Sequence, residues 1–166
     1  MDGPLAIVGY MGSGKSTVGR IVADEIGWGF VDLDREIEHW AGRPIPEIFS
    51  TSGEGCFRDL EHHVLLDALD GADERVVACG GGVVVRPENC ERLKSVATVF
   101  LEEDLRILFD RTRGAGRPLR AAGYEQFERR YAERLPAYLE VADLRVAVDG
   151  RSRKQVAQEI SRWLNG

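Results

Sequence analysis

Gly9-Tyr10-Met11-Gly12-Ser13-Gly14-Lys15-Ser16 follows the apolar run Leu5-Ala6-Ile7-Val8 and leads into a helical pattern with Val18, Ile21, Val22 and Ile26 on one face. Strand, glycine turn and helix N-terminus, in that order, form the context that G-x-x-x-x-G-K-S needs in order to bind phosphate. Glycines let the backbone curl so that successive N–H groups converge on phosphate oxygens. The lysine brings a mobile charge to the outer phosphates, and the Ser16 hydroxyl is a ligand for the magnesium that accompanies them. Gly12, Ser13, Gly14, Lys15, Ser16 and Thr17 are therefore the candidate nucleotide-binding residues. The chain has only three lysines (Lys15, Lys94, Lys154) among its 22 basic residues, so a basic residue set here by chance would more often be an arginine.

Working outward, the 166 residues suit one domain, residues 1–166, with 43% hydrophobic and 30% charged content typical of a globular protein. The net charge of −6 argues against nucleic acid as a partner, so an anionic substrate must be met by local arginines. Cys56, Cys79 and Cys90 form no C-x-x-C pair and leave an odd count, which disfavours a disulfide framework. Neither a signal peptide nor a run of membrane-spanning length is expected, and the expectation is a cytoplasmic monomer.

Short β-branched runs alternate with helical stretches, the pattern of an α/β protein with a parallel sheet. The expected strands are 5–8, 30–32, 76–78, 96–101 and 144–148. Ligands of such sheets lie at the carboxyl ends of the strands, and the remaining motifs follow strands or sit where they can overhang that edge. The second strand ends in Val31-Asp32-Leu33-Asp34, with both carboxylates able to face one site. The pair suits a magnesium ligand and a partner for a substrate hydroxyl. It also suits a helix cap, Asp34 standing before Arg35-Glu36-Ile37-Glu38. After a phosphate loop, the functional reading is preferred for at least one of them.

Pro44 to Phe49 reads as a proline-started helical turn, and after Gly53-Glu54-Gly55 a helix buries Phe57, Leu60, Val64, Leu65 and Ala68. Arg58 and Glu61 lie on its flank, spaced for an exposed ion pair of about 0.2–0.5 kcal/mol or for an anion-facing arginine. His62 and His63 read as surface or packing residues. The third strand runs into Gly80-Gly81-Gly82, which is costly in backbone entropy unless the backbone approaches something closely, and a ligand is the better explanation. Glu102, Glu103 and Asp104 are expected to open the next helix. Arg113 to Gly123 is basic, glycine-hinged and poor in core residues, the composition of a lid, whose arginine can contribute about 10³–10⁵ in phosphoryl-transfer rate. The helix 124–139 carries Arg129, Arg130 and Arg134. Ser152 and Gln155 form a capping box for the last helix, and Arg151 before it sits where it could flank a nucleotide base.

GYMGSGKSTVG, Asp32-x-Asp34, Ile45-Pro46-Glu47-Ile48-Phe49, Phe57-Arg58-x-x-Glu61, Gly80-Gly81-Gly82, Arg117-Pro118-Leu119 and Arg134-x-Pro136-x-Tyr138 together resemble the shikimate kinase family over nearly the whole chain. The resemblance implies a three-layer P-loop fold like that of nucleoside monophosphate kinases, with a five-stranded parallel sheet in order 2-3-1-4-5. It implies an acceptor-binding region at about 33–62 and a mobile lid at about 112–124. It further implies ATP-dependent phosphorylation of the 3-hydroxyl of shikimate, a step towards aromatic amino acids. By the same resemblance Asp34 holds the reacting hydroxyl, and Asp32 supports Mg²⁺ together with Ser16. Arg58 and Arg134 grip the shikimate carboxylate, Gly80, Gly81 and Gly82 line that pocket, and Arg117 reaches the phosphates from the lid. Arg111 and Arg151 match the pair flanking adenine, with Arg113 and Arg153 as rival positions. Lys15, Asp34 and Arg117 are then the catalytic set. The alternatives are a gluconate- or nucleotide-type kinase on the same fold, or a non-catalytic nucleotide switch, although no N-K-x-D guanine-reading motif is found.

Overall fold

The computed structural model describes residues 3–70, 73–112 and 123–166. In chain order the elements are β1 (Leu5–Val8), α1 (Lys15–Ile26), β2 (Gly29–Asp32), α2 (Leu33–Ala41), α3 (Ile45–Leu69), β3 (Arg75–Ala78), a 3₁₀ turn (Val83–Val85), α4 (Pro87–Lys94), β4 (Ala97–Glu102), α5 (Leu105–Arg111), α6 (Gly123–Val141), β5 (Leu144–Ala147) and α7 (Arg153–Asn165). All five expected strands form, each within one residue of its expected bounds.

Every β1 residue is apolar and fully buried, as a central strand covered on both faces requires. Alternation divides those residues between two layers. Leu5 and Ile7 pack with Val18 and Val22 of α1 and with Val156 and Ile160 of α7. Ala6 and Val8 face the other side, with Leu33 and Ile37 of α2, Leu65 of α3, Leu93 of α4 and Phe127 and Tyr138 of α6. The result is helix, sheet and helix in three layers. The strands are all parallel and run in the order β2-β3-β1-β4-β5. The chain thus leaves β1 towards one edge and returns to its other side at β4, which opens a crevice at the carboxyl end of β1.

Local chemistry sets the entries to the elements around that crevice. The cap of α2 is Asp32, whose Oδ1 accepts from the amides of Asp34 (3.1 Å) and Arg35 (3.4 Å). Asp34, weighed as the cap from sequence, lies inside the first turn of α2. The expected turn at 44–49 and the helix after it form the two pieces of α3, separated by the non-helical Gly53 (φ 80°, ψ 171°). Asp104 caps α5, its Oδ1 accepting from Arg106 N (2.9 Å) and Ile107 N (3.2 Å). The Ser152–Gln155 capping box opens α7. Among the described residues no helix is long and apolar enough to cross a membrane.

Candidate active site

β1 ends at Val8, and the loop that follows turns through Gly12 (φ 86°) and Gly14 (φ 90°), conformations that a side chain strongly disfavours. α1 then starts at Lys15 with no acidic residue in its first turn, so its amide dipoles face the loop unopposed. Lys15 is buried over that loop, with Nζ 3.0 Å from Tyr10 O and 3.5 Å from Ser13 Oγ. Ser13 is buried beneath it, whereas Ser16 and Thr17 are exposed on the first turn of the helix. Converging amides, a cation and an exposed hydroxyl at a helix N-terminus make an anion cradle.

Two further arginines lie against this cradle. Arg111, at the end of α5, reaches back so that Nη1 is 3.4 Å from Gly12 O and 2.5 Å from Glu103 Oε2. Arg153, at the start of α7, covers Gly14 so closely that a Cβ there would come within 2.8 Å of Cζ and Nε. Burial, and then the neighbouring Arg111 charge, hold the Arg153 pKa below its ordinary value. Arg151 instead donates to Ala147 O (3.0 Å) and Gln155 O (3.2 Å) and pairs with Glu159 (2.6 Å). Of those two, Arg153 is the one against the phosphate loop. Arg113 and Arg117, like the rest of 113–122, lie outside the described residues.

Glu103 was expected only to open a helix, but its side chain is almost wholly buried. Burial chiefly, and a hydrogen bond with Asp149 next, raise its pKa, while the same bond lowers that of Asp149. Burial of Glu103 and the nearness of a second carboxyl, Asp149, push the two groups in opposite directions. Asp149 Oδ1 also accepts from Asp104 N (3.0 Å), so the pair ties the loop leading to Arg111 to the loop leading to Arg153. The sequence carried no signal for this pairing, because the partners are 46 positions apart and meet only across the β4–β5 edge.

On the other side of the crevice, Gly80-Gly81-Gly82 follows β3, and each glycine faces a different functional residue. A Cβ on Gly80 would lie 2.8 Å from Glu61 Oε1 and 3.0 Å from Asp34 Oδ1. One on Gly82 would collide with the Arg58 guanidinium, and one on Gly81 would sit 3.2 Å from Met11 N in the phosphate loop. The carbonyl of Gly81 accepts from Arg134 Nη1 (3.0 Å) and from Tyr138 OH, both on α6. The loop therefore touches Asp34 of α2, Arg58 and Glu61 of α3, Arg134 of α6 and the phosphate loop at once.

Arg58 and Glu61 are not the exposed pair that their spacing allowed. Both are buried, with Nη1 2.6 Å from Glu61 Oε2, and Arg58 also meets the exposed Glu54 at 3.2 Å. Burial raises the Glu61 pKa, the Arg58 charge opposes that rise, and the Asp34 charge adds to it. Glu61 Oε1 and Arg58 Nε have no hydrogen-bond partner among the described residues, the condition of polar groups that face a binding site. His62 and His63 pack locally, through Asn89 Oδ1 (2.7 Å) and Asp59 O (2.7 Å). Among the described residues no group of three or more His, Cys, Asp or Glu could hold a metal by itself. Ser16 and Asp32 offer hard oxygen donors but few carboxylates, which suits a magnesium ion whose shell is completed by substrate phosphates and water.

A family model described as shikimate kinase matches residues 11–165. The shikimate kinase of Persephonella marina is 38% identical over 156 residues, covering 93% of this chain and 94% of the relative. That of Symbiobacterium thermophilum is 41% identical over 163 residues, covering 94% and 92%. The structure of shikimate kinase from Acinetobacter baumannii in complex with shikimate superposes with a TM-score of 0.92 at 34% identity, covering 98% of this chain and 93% of that one. A gluconokinase from Sinorhizobium meliloti reaches a TM-score of 0.61 at 18% identity, a likeness of fold alone.

Proposed function

The chain belongs to the shikimate kinase family, and from that membership we propose that it transfers the γ-phosphoryl group of ATP to the 3-hydroxyl of shikimate, giving shikimate 3-phosphate and ADP. The observation that carries the reading is the convergence of Asp34, Arg58 and Arg134 on the Gly80–Gly82 loop beside a phosphate cradle. Two arginines and a carboxylate gathered on one loop suit a small hydroxy acid, held by its carboxylate and presenting a hydroxyl.

In this reading the 3-oxygen forms a bond to the γ-phosphorus while the bond to the β–γ bridging oxygen breaks and ADP leaves. The transition state is loose, so catalysis is mainly positioning and charge stabilisation. Asp34 orients the hydroxyl and accepts its proton late. Arg58 and Arg134 fix the carboxylate, so remote binding energy is used for alignment. Lys15 and the amides of Gly12 to Ser16 stabilise negative charge on the transferred group. Arg117 contributes from the lid at about 112–124, and Thr17 lies with Ser16 at the end of the cradle. Ser16 and Asp32 would hold a magnesium ion with the nucleotide, and it would supply charge neutralisation at the phosphates. Arg111 flanks the base, and the contact with Gly14 favours Arg153 over Arg151 as its opposite number. The protein is taken to act as a cytoplasmic monomer, which size-exclusion chromatography with light scattering checks.

ADP release measured with ATP and shikimate, gluconate or a nucleoside monophosphate tests the proposal. Shikimate-dependent turnover is expected. Turnover with another acceptor and none with shikimate would overturn it, as would ATP binding with no turnover at all.

A further inference from the structure

Tyr10 stands between Gly9 and Met11 in the phosphate loop, yet its side chain points away from the cradle and is completely buried. Its main chain serves the donor side, since Tyr10 O accepts from Lys15 Nζ at 3.0 Å. Its side chain belongs to α6. The hydroxyl donates to Phe127 O at 3.0 Å, and the ring meets Phe127 edge-on at 4.7 Å and Tyr131 at 5.3 Å. Arg134 completes the row, with Cζ 5.6 Å from the Tyr10 ring centroid. Positions 127, 131 and 134 share one helical face, so a single side chain supports about two turns of α6 and ends under the guanidinium.

Arg134 thus has two supports. Gly81 O fixes one nitrogen, and the ring face of Tyr10 fixes the plane of the guanidinium, an interaction that strengthens where water is excluded. An aliphatic side chain would fill part of the same space but has no ring quadrupole and no hydroxyl for Phe127 O. Phenylalanine would keep the ring and lose only the hydroxyl.

We propose that Tyr10, although part of the phosphate loop, is a positioning residue for Arg134, so that altering its side chain is read in the acceptor KM and not in the ATP KM. The inference rests on the reading that Arg134 holds the acceptor carboxylate. Its consequence is unusual for a residue within the G-x-x-x-x-G-K-S motif: the donor loop helps to shape the acceptor pocket.

The test is steady-state kinetics of Tyr10→Phe, Tyr10→Leu, Arg134→Lys and the Tyr10→Leu/Arg134→Lys double variant, varying shikimate and ATP in turn. Tyr10→Leu is expected to raise the shikimate KM about 3- to 30-fold, the range that loss of a desolvated cation–π contact allows, with the ATP KM within about twofold. Tyr10→Phe should show a smaller shift in the same direction, and being nearly isosteric it keeps the test open should Tyr10→Leu fail to fold. In the Arg134→Lys background Tyr10→Leu should cost much less, because the guanidinium it supports is gone. If Arg134→Lys raises the shikimate KM while both Tyr10 variants leave it unchanged, or raise the ATP KM equally, the inference fails and the reading of Arg134 stands. An unchanged shikimate KM in Arg134→Lys overturns both.

Discussion

Replacing Gly80 with alanine tests the acceptor site by sterics alone. The Gly80 backbone does not require the left-handed conformation, so the substitution carries no intrinsic backbone strain. The new methyl would stand 3.0 Å from Asp34 Oδ1 and 2.8 Å from Glu61 Oε1. To reach ordinary contact at 3.4 Å the two carboxylates must retreat by about 0.4 and 0.6 Å. Glu61 is braced by its 2.6 Å pair with Arg58, so part of the displacement passes to that arginine. A 1 Å misplacement of a reacting group costs about 10²-fold, and half that distance therefore about tenfold, or 1.4 kcal/mol. kcat/KM for shikimate should fall at least that far. Overpacking of a well-filled core costs about 1–3 kcal/mol, and these are side-chain ends lining a pocket, so the lower end applies. That corresponds to a Tm drop of about 2–4 °C. Coupled-assay kinetics, ADP titration calorimetry and a thermal melt separate the effects. Unimpaired kcat/KM for shikimate would refute the placement of the reacting hydroxyl beside Gly80. Loss of ADP binding would refute the division of the crevice into donor and acceptor halves.

Asp34→Asn should lower kcat severely while ADP still binds by calorimetry; near-normal turnover would remove Asp34 from the reaction. Arg58→Lys keeps the charge but loses the forked contact with Glu61 and Glu54, and should raise the shikimate KM with the ATP KM within about twofold. Glu103→Gln should raise the ATP KM several-fold by loosening Arg111, leaving the shikimate KM nearly unchanged. It also carries a pH signature. The Glu103 pKa is raised in the fold, so the stability it contributes is full below the ordinary carboxylate value and declines as pH rises through its titration. Melts of the variant should lack that decline, so the variant should gain on the wild type as pH increases. A parallel pH profile for both would count against a raised Glu103 pKa. Alkylation of the native protein should label Cys56, which is partly exposed, and spare Cys79, whose thiol is buried and held protonated well above its usual pKa, as peptide mass spectrometry would show.

The fold was legible because it is written in short-range patterns. Leu5-Ala6-Ile7-Val8 is apolar and buried at every position, as a doubly covered strand requires, whereas the edge strands β2 (Gly29–Asp32) and β5 (Leu144–Ala147) carry polar or exposed positions and are weaker signals. Where the local reading erred, it was over boundaries. Gly53 and Gly55 suggested two helical pieces, and the break is at Gly53 alone, whose backbone leaves helical geometry (φ 80°, ψ 171°). Asp34 looked like a cap because the polar run begins after it, whereas the cap is two residues earlier. Both concern where a helix starts or bends, which neighbouring contacts decide as much as propensity does.

The site divides along a different line. Residues whose chemistry is local to one loop, from Gly12 to Ser16, can be proposed one at a time from the sequence. Residues whose role depends on what packs above them cannot. Arg58 and Glu61 have the spacing of an exposed pair, and the approach of the Gly80–Gly82 loop helps make them a buried one with atoms that lack a hydrogen-bond partner among the described residues. Arg151 and Arg153 differ by two positions at the entry to α7, so one meets Glu159 and the other Gly14. Glycine is what permits each of these approaches, because at Gly14, Gly80 and Gly82 a single added carbon would occupy the space of a functional side chain. A glycine triplet after a buried strand is therefore best read as a set of surfaces reserved for other residues. Here those residues come from α2, α3 and α6, so one loop gathers the proposed acceptor residues and brings them against the phosphate loop at Met11.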